Sequence, residues 1–398
     1  MDHIGINGIV LADLHWGAIH PNRFEKELNS CLFTHLEKCK RAGETVNFAV
    51  IAGDTFDVSE YLSSLVTQSV IRFYKRLASY VDQVIVIEGT RSHDALQSST
   101  LQIIFNEIAS IKNISFFQTV SKYSLNGVDM LLIPEEYISD PDEYYRDYFN
   151  AHYDLIFGHG MTDVIWYAKS NEESVRRYRN NTLAPVFSVE RLCEIANYIY
   201  FGHIHEHKSY GADGRFKYVG PPTRWEIDKT WDCGFYHITY DKDTKLVAEE
   251  FIVNEEAMKF TTIPISINDE ITPDDVHRMI APVTRSIDAY DRIRVILNIR
   301  KGISGFQTIK DLFLDKLNQY PNVVVMLKLI DDTEDSKEDT LETPEERNLR
   351  VSNYIQTPED VRIQDFIRKN SQMEIPITTI RDVIGYDKIK PTEEKETC

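Results

Sequence analysis

The chain has 398 residues, of which 42% are hydrophobic, and a formal net charge of −19. This length predicts two or more domains, and no apolar run approaches the roughly 20 residues that a membrane-spanning helix needs. The acidic balance disfavours tight binding of naked nucleic acid, which depends on basic surface, but part of the charge lies in one acidic segment near the C-terminus.

The five cysteines are an odd number and form no Cys-x-x-Cys pair. This pattern predicts free thiols in a reducing compartment rather than a disulfide framework or a thiolate zinc site. The first residues, Met1-Asp2-His3-Ile4, lack the basic start and the small-residue cleavage site of a signal peptide. We therefore expect a cytoplasmic protein.

Residues 4 to about 255 alternate apolar runs with helical periods, which predicts an α/β sandwich flanked by helices. Helices are expected over Asn22–Arg41 and Glu60–Tyr80, and an antiparallel hairpin at a sheet edge near Gly234–Tyr240. Five further apolar runs are predicted strands: Ile9–Ala12, Phe48–Ala52, Val84–Ile87, Leu155–Phe157 and Tyr198–Phe201.

Each of these five runs is followed by a motif of acidic and histidine side chains. The C-terminal ends of strands in an open α/β sheet meet at one edge, where ligands bind. Carboxylate and imidazole together suit manganese, iron or zinc, so the sequence predicts a metal centre there. The motifs are Asp13-Leu14-His15, Gly53-Asp54-Thr55-Phe56-Asp57, Ser92-His93-Asp94, Gly158-His159 and Gly202-His203-Ile204-His205.

Asp54 is the candidate for a carboxylate that bridges two ions. A two-metal phosphoesterase holds its ions about 3.5–4 Å apart, and glycine at position 53 allows the sharp turn that brings Asp54 between them. Side chains two positions apart in an extended segment point to the same side. Asp13 and His15 are therefore expected to act as a pair.

The order Asp-x-His, Gly-Asp-x-x-Asp, His-Asp, Gly-His, Gly-His-x-His resembles the calcineurin-like metallophosphoesterase superfamily. The phrase Ala-Asp-Leu-His-Trp-Gly at 12–17 is similar to the opening motif of the SbcD/Mre-type DNA-repair nucleases, the partners of SbcC/Rad-type coiled-coil ATPases. The resemblance implies a 3′-to-5′ exonuclease on double-stranded DNA and an endonuclease on single strands. It further implies a homodimer that works with the ATPase in a bacterial or phage-infected cytoplasm, without a membrane.

The resemblance also implies a role for each site residue. A metal-bridged hydroxide would attack the phosphodiester, His93 would be the general acid that protonates the leaving oxygen, and Asp94 would orient the His93 imidazole. The two divalent ions would be manganese, with magnesium or iron as alternatives. One ion would be held by Asp13, His15, Asp54 and His205, and the second by Asp54, His159 and His203.

The third motif departs from the family pattern. The family carries Gly-Asn-His-Asp, with the asparagine as a ligand of the second ion, whereas residues 89–94 read Gly-Thr-Arg-Ser-His-Asp. Ser92 takes the position before His93, and its hydroxyl is a poorer ligand than an amide oxygen. Arg91 either contacts a substrate phosphate or is exposed to solvent.

We expect four segments: a nuclease domain at 1–258, a small α+β capping domain at 259–330, an acidic linker at 331–347, and a C-terminal segment at 348–398 that binds the ATPase partner. The alternative for the last segment is packing on its own chain. The polar stretch Tyr167–Asn181 is either a solvated helix face or a contact to the phosphate backbone.

Two other functions remain open from the sequence. The same metal core would serve a phosphatase or phosphodiesterase for small phosphoesters, which does not need the extra domain and tail. The missing asparagine would alternatively mark a scaffold with a degraded site.

Overall fold

The computed structural model describes residues 5–57, 63–94, 106–108, 110–167, 184–211, 213–226, 231–268, 271–300, 303 and 306–330. The chain divides into two units, Met1–Ile330 and Asp331–Cys398. The predicted acidic linker, the C-terminal segment and residues 168–181 of the polar stretch lie outside the described ranges. The domain boundary at residue 258 falls inside the first unit and stays a prediction.

Strands and helices alternate along the described chain. The strands are β1 (Gly5–Leu11), β2 (Phe48–Ala52), β3 (Gln83–Ile87), β4 (Ile114–Phe117), β5 (Ser121–Leu125), β6 (Val128–Ile133), β7 (Tyr153–His159), β8 (Met161–Thr162), β9 (Val186–Phe187), β10 (Ala196–Gly202), β11 (Lys208–Tyr210), β12 (Phe216–Tyr218), β13 (Gly234–Asp241), β14 (Leu246–Val253), β15 (Phe260–Ile267), β16 (Arg292–Arg300) and β17 (Val323–Ile330). The helices are α1 (Pro21–Leu28), α2 (Thr34–Arg41), α3 (Ser64–Ala78), α4 (Arg91–Asp94), α5 (Pro141–Tyr144), α6 (Arg146–Phe149), α7 (Asp163–Tyr167), α8 (Val189–Ile195), α9 (Pro273–Ser286) and α10 (Phe306–Leu317).

Two six-stranded sheets form the body of the first unit, in the orders β14-β13-β1-β2-β3-β4 and β11-β12-β10-β7-β6-β5. Strands β1 to β4 run parallel, as do β12, β10, β7 and β6. The hairpin predicted near Gly234–Tyr240 is confirmed as β13–β14, with β14 at the edge of the first sheet and β13 paired antiparallel to β1.

The two sheets pack face to face, with helices on their outer faces. In β1, Val10 belongs to the apolar layer between the sheets, whereas Ile9 and Leu11 belong to the layer under the helices. This alternation follows from the period of two in a strand. A third buried cluster joins α8 to the outer face of the second sheet. The predicted α/β sandwich flanked by helices is confirmed.

The helix predicted over Asn22–Arg41 consists of α1, a π-helical turn over Asn29–Phe33, and α2. The Thr34 hydroxyl donates to the Asn29 carbonyl at 2.9 Å, which satisfies a carbonyl group in the wider turn. The predicted start of the next helix, at Glu60, lies outside the described residues. Ser63 is extended, and its side chain accepts a hydrogen bond from the Val66 N–H, so α3 begins at Ser64.

A three-stranded parallel sheet, β15-β16-β17, follows the sandwich and packs against α9 and α10 around one buried cluster. All five elements lie within residues 259–330, the segment for which the sequence predicts α+β structure. Arg23 of α1 contacts this part of the chain through Asp291, at 3.3 Å. Among the described residues, no helix is long and apolar enough to cross a membrane.

Substitution of Phe157 tests how much the apolar layer between the two sheets contributes to stability. Its fully buried ring lies 5.9 Å from that of Phe48 and 5.8 Å from that of Tyr200, centroid to centroid. We expect Phe157→Ala to lower the free energy of unfolding by about 3–5 kcal/mol, because it leaves a cavity. Leu246→Ala is the control, since Leu246 is 61% exposed, and should change stability by less than about 0.5 kcal/mol. Urea denaturation measures both, and equal effects would contradict this packing.

Candidate metal centre

The candidate site lies where the C-terminal ends of parallel strands from both sheets meet. Beyond the ends of β1 and β2, their pairing continues through Asp13 N–H to Gly53 O at 3.1 Å and His15 N–H to Asp54 O at 3.0 Å. The second sheet is joined at the same place, because the His203 N–H donates to Asp13 Oδ1 at 2.7 Å. The two loops from the first sheet and the loop after β10 therefore form one site.

The backbone at this site is held in an unfavourable conformation. Six non-glycine residues of the described chain have positive φ, and Asn126 and Lys245 lie in hairpin turns. The other four are predicted metal ligands. A non-glycine residue keeps a positive φ only where surrounding contacts hold its backbone in that conformation. The four ligands are Asp13 (51°), His15 (45°), Asp54 (49°) and His203 (95°).

Two glycines permit the close approach of these ligands. A Cβ atom at Gly53 would lie 2.1 Å from His159 Nδ1, and one at Gly89 would lie 2.1 Å from the Asp54 backbone nitrogen. Gly53 also has a φ of +80°. Both positions therefore require glycine if Asp54 and His159 are to occupy their places.

The first donor cluster comprises four predicted ligands, whose ligand atoms lie within 4.8 Å of one another: Asp13, His15, Asp54 and His205. His15 Nε2 faces His205 Nε2 at 3.1 Å. The other ring nitrogen of His205 contacts Glu226 Oε1 at 2.6 Å, which leaves its Nε2 lone pair directed at the cluster. Asp13 is fully buried, and its Oδ2 atom has no hydrogen-bond partner among the described residues. An unpartnered buried carboxylate oxygen fits a bound cation.

The second donor cluster comprises Asp54, His159 and His203, again with ligand atoms within 4.8 Å. Asp54 Oδ2 lies 3.2 Å from His159 Nε2. His159 donates from Nδ1 to the Ala52 carbonyl at 2.8 Å, which leaves Nε2 free to face Asp54. Asp54 belongs to both clusters, and the structure thus brings all six predicted ligands together.

The buried carboxylates and imidazoles at this edge shift one another's pKa values. Burial opposes ionisation of Asp54, but the facing imidazoles of His159 and His15 hold its pKa well below the ordinary value. Burial would lower the pKa of His159, but Asp54, Asp13 and Glu135 raise it to about 10. Burial depresses the pKa of His15. Burial raises the pKa of Asp13, so the edge combines an ionised carboxylate at Asp54 with a cationic partner at His159.

Two residues that the sequence analysis missed also face the second cluster. Thr90 Oγ1 lies 3.3 Å from each of Asp54 Oδ2, His159 Nε2 and His203 Nδ1. Glu135 Oε2 lies 3.0 Å from Thr90 Oγ1 and 3.3 Å from His203 Nδ1. Glu135 follows Pro134 at the end of β6, so the rule that located the other motifs at strand ends applies to it equally.

The separations between donor atoms fit a coordination sphere. Metal–ligand bonds of about 2.0–2.2 Å place neighbouring donors roughly 2.9–3.6 Å apart in tetrahedral or octahedral sites. The contact between Asp54 and His159, and the contacts that Thr90 Oγ1 and Glu135 Oε2 make with this cluster and with each other, run from 3.0 to 3.7 Å. Buried clusters of this composition could hold divalent ions.

The third motif is arranged differently from the prediction. Asp94 accepts hydrogen bonds from the backbone N–H groups of Thr55 and Gly89, both at 2.9 Å, and of Phe56 at 3.2 Å. Nδ1 of His93 contacts the Asp57 carbonyl instead. Asp94 therefore holds the loops around Asp54 and, contrary to the prediction from the sequence, does not orient His93. The Asp57 carbonyl orients the His93 ring instead.

Ser92 and Arg91 also lie apart from the donor clusters. Both are exposed on α4, and the guanidinium of Arg91 stacks over the Tyr137 ring at 4.4 Å. Thr90, not Ser92, takes the place next to the second cluster, because it directly follows Gly89. Counting the motif forward from the glycine rather than backward from His93 would have found it.

An aromatic residue beside the first cluster was also missed. The Trp225 ring lies 4.6 Å from that of His15 and 5.1 Å from that of His205, centroid to centroid. It comes shortly after the Gly220-Pro221-Pro222-Thr223 segment. Trp225 thus forms one wall of the candidate site.

Comparisons with known proteins add little. No protein-family model matches the chain, and no curated protein matches it. Among solved structures, the chain is similar to a conserved uncharacterized protein from Streptococcus pneumoniae TIGR4, described as a predicted phosphoesterase. The identity is 10%, the match covers 64% of this chain and 92% of the other, and the TM-score is 0.28. A likeness at this TM-score establishes neither a shared fold nor a shared activity.

The roles of Asp94 and His93 can be distinguished by how much each alanine substitution lowers the free energy of unfolding. Asp94→Ala removes the acceptor of three buried N–H groups, so we expect it to lower the free energy of unfolding by about 2–4 kcal/mol. His93→Ala, which removes a half-buried ring with one contact to a carbonyl, should cost less than about 1 kcal/mol. Urea denaturation of metal-free protein measures both. A neutral Asp94→Ala would contradict the loop-fixing role.

Proposed function

We propose that this chain is a metal-dependent phosphoesterase of the calcineurin-like metallophosphoesterase superfamily, and that it hydrolyses phosphodiester bonds in DNA. The observation that supports this most directly is Asp54, whose carboxylate belongs to two clusters of buried donors at once. A shared carboxylate is what a pair of ions requires. The donor types, imidazole and carboxylate, match manganese, with magnesium or iron as alternatives.

In the proposed site, Asp13, His15, Asp54 and His205 would hold one ion, and Asp54, His159 and His203 the second. When bound, the two divalent ions would supply positive charge for the phosphoryl oxygens and would activate a water molecule. His93 keeps one ring nitrogen on the Asp57 carbonyl, which leaves Nε2 to give a proton to the leaving oxygen. Its ring lies 4.6 Å from that of His15, centroid to centroid, beside the first cluster.

The assignment to DNA rests on the resemblance of the 12–17 phrase and of the domain order to SbcD/Mre-type nucleases. On that basis, we propose 3′-to-5′ exonuclease and single-strand endonuclease activity, a homodimer, and a coiled-coil ATPase partner bound by residues 348–398. Such a partner would supply the DNA affinity that a chain with a net charge of −19 lacks. The free thiols of the described residues suit the cytoplasm.

The net charge of −19 also favours a second candidate, a hydrolase of small phosphoesters. A small substrate needs no extended basic surface. A scaffold with a degraded site is less well supported, since Thr90 and Glu135 occupy the region where the asparagine is missing.

We expect the wild-type protein to cleave labelled single-stranded and double-stranded DNA in a manganese-dependent reaction. His93→Ala should keep its bound metal and lose about 10²–10⁴-fold in kcat, because it removes the proton donor. Asp54→Asn should lose both metal and activity. Metal content by plasma mass spectrometry, measured beside cleavage rates, tests each expectation.

The matched control is His152→Ala, because His152 is an exposed histidine on the turn before β7. It should cleave like the wild type. Activity on bis(p-nitrophenyl) phosphate without DNA cleavage, even with the ATPase present, would favour small phosphoesters. Failure of the wild type to bind metal and to cleave either substrate would contradict the proposal.

A further inference from the structure

The second donor cluster has a gap in its expected ligands. The resemblance assigns an asparagine amide to the second ion, and this chain has Thr90 at the position after the glycine. The Thr90 hydroxyl is neutral and shorter than an amide side chain. Hydroxyl oxygen is also a weaker donor than carboxylate for hard divalent ions. Asp54, His159 and His203 alone would leave the second ion with few protein ligands.

We propose that Glu135 fills this gap as a ligand of the second ion, an inference that rests on the proposed metal-dependent function. Its Oε2 atom lies 3.0 Å from Thr90 Oγ1, 3.3 Å from His203 Nδ1 and 3.7 Å from His159 Nε2. Those are separations expected between donors of one ion. Glu135 is only 6% exposed, so its carboxylate faces the cluster rather than solvent.

The surroundings of Glu135 fix this direction. The Tyr137 hydroxyl donates to Oε1 at 3.2 Å, which leaves Oε2 turned to the cluster. The Tyr137 ring is covered by the Arg91 guanidinium. The Glu135 backbone N–H donates to the Glu88 carbonyl at 3.3 Å, which ties the end of β6 to the end of β3. A ligand oriented in this way loses little side-chain entropy on metal binding.

The replacement changes the charge of the site. A carboxylate in place of an amide adds one negative charge, so Asp13, Asp54 and Glu135 would together place three carboxylates against two divalent ions. The second ion should therefore bind more tightly than it would with three ligands. The ligand position at which the sequence places Ser92 would pass to an element distant in sequence, the loop after β6.

The competing explanation is that Glu135 only pairs with His203 and His159 as a structural ion pair. The two explanations differ in manganese binding, measured by isothermal titration calorimetry and by electron paramagnetic resonance of the loaded protein. With Glu135 as a ligand, the wild type binds two Mn²⁺ with an exchange-coupled spectrum. Glu135→Gln, nearly equal in shape, should weaken the second Mn²⁺ by about 10–100-fold or more and give the six-line signal of an isolated ion.

Glu136→Gln is the matched control, since Glu136 accepts from the Val120 N–H at 2.9 Å and from the Tyr144 hydroxyl instead. It should keep two coupled ions. Thr90→Asn in a Glu135→Ala background should restore part of the second-ion affinity, because it returns an amide oxygen to a cluster that Glu135→Ala leaves without an oxygen ligand at position 135. Rescue of this kind would not follow from a structural ion pair.

Two coupled ions of unchanged affinity in Glu135→Gln would overturn the proposal for Glu135 while leaving the phosphoesterase proposal intact. A wild-type protein that binds no pair of ions would overturn both. If Glu135→Gln does not fold, as judged by circular dichroism, Glu135→Asp serves instead. It keeps the charge but draws the carboxylate back, so a ligand role predicts weaker second-ion binding, whereas unchanged binding would count against it.

Discussion

The burial of three carboxylates where the strand ends of the two sheets meet is the constraint on which this structure depends. Asp13, Asp54 and Glu135 are at most 6% exposed, and an isolated buried carboxylate costs several kcal/mol. The His159 imidazole supplies opposing charge, since burial would lower its pKa but Asp54, Asp13 and Glu135 raise it to about 10. Without metal, the edge is thus held by ion pairs. A divalent ion would displace the proton on His159 and pair with the same carboxylates more strongly.

Four of the six non-glycine residues with positive φ in the described chain lie at this edge. Asp13, His15, Asp54 and His203 all have positive φ, at a cost of order 1 kcal/mol or more for each residue. Hydrogen bonds from three loop N–H groups to Asp94 and from His203 to Asp13 offset part of that cost. Departures from local preference are expected where function, not stability, sets the conformation.

Much of the site was predictable because it follows strands. The runs before Asp13, Asp54, His159 and His203 are apolar and short. Parallel pairing brings the ends of β1 and β2 together in the first sheet and those of β7 and β10 in the second. The packing of the two sheets, which the sequence predicts as one, then joins the two pairs. The partners of Asp94 were not predictable, because its acceptor role depends on where the loops after β2 and β3 meet in space. Burial of Asp94 by this packing, together with the charge of Asp54, raises its pKa to about 7.

Glu135 and Thr90 show a different limit of prediction from sequence motifs. Neither belongs to a familiar motif here, so the apparent loss of one ligand in the third motif drew attention to its neighbours Ser92 and Arg91. The π-helical turn at Asn29–Phe33 was missed for a similar reason, since a period of 3.6 describes α1 and α2 almost equally well on either side of it.

The central claim is that Asp54 bridges two metal ions. The most direct test is a crystal structure of the protein grown with manganese, with anomalous diffraction recorded at the manganese absorption edge. We predict two anomalous peaks about 3.5–4 Å apart, one beside Asp13, His15 and His205 and one beside His159 and His203, with the Asp54 carboxylate between them. A single peak, or none in this region, would contradict the claim.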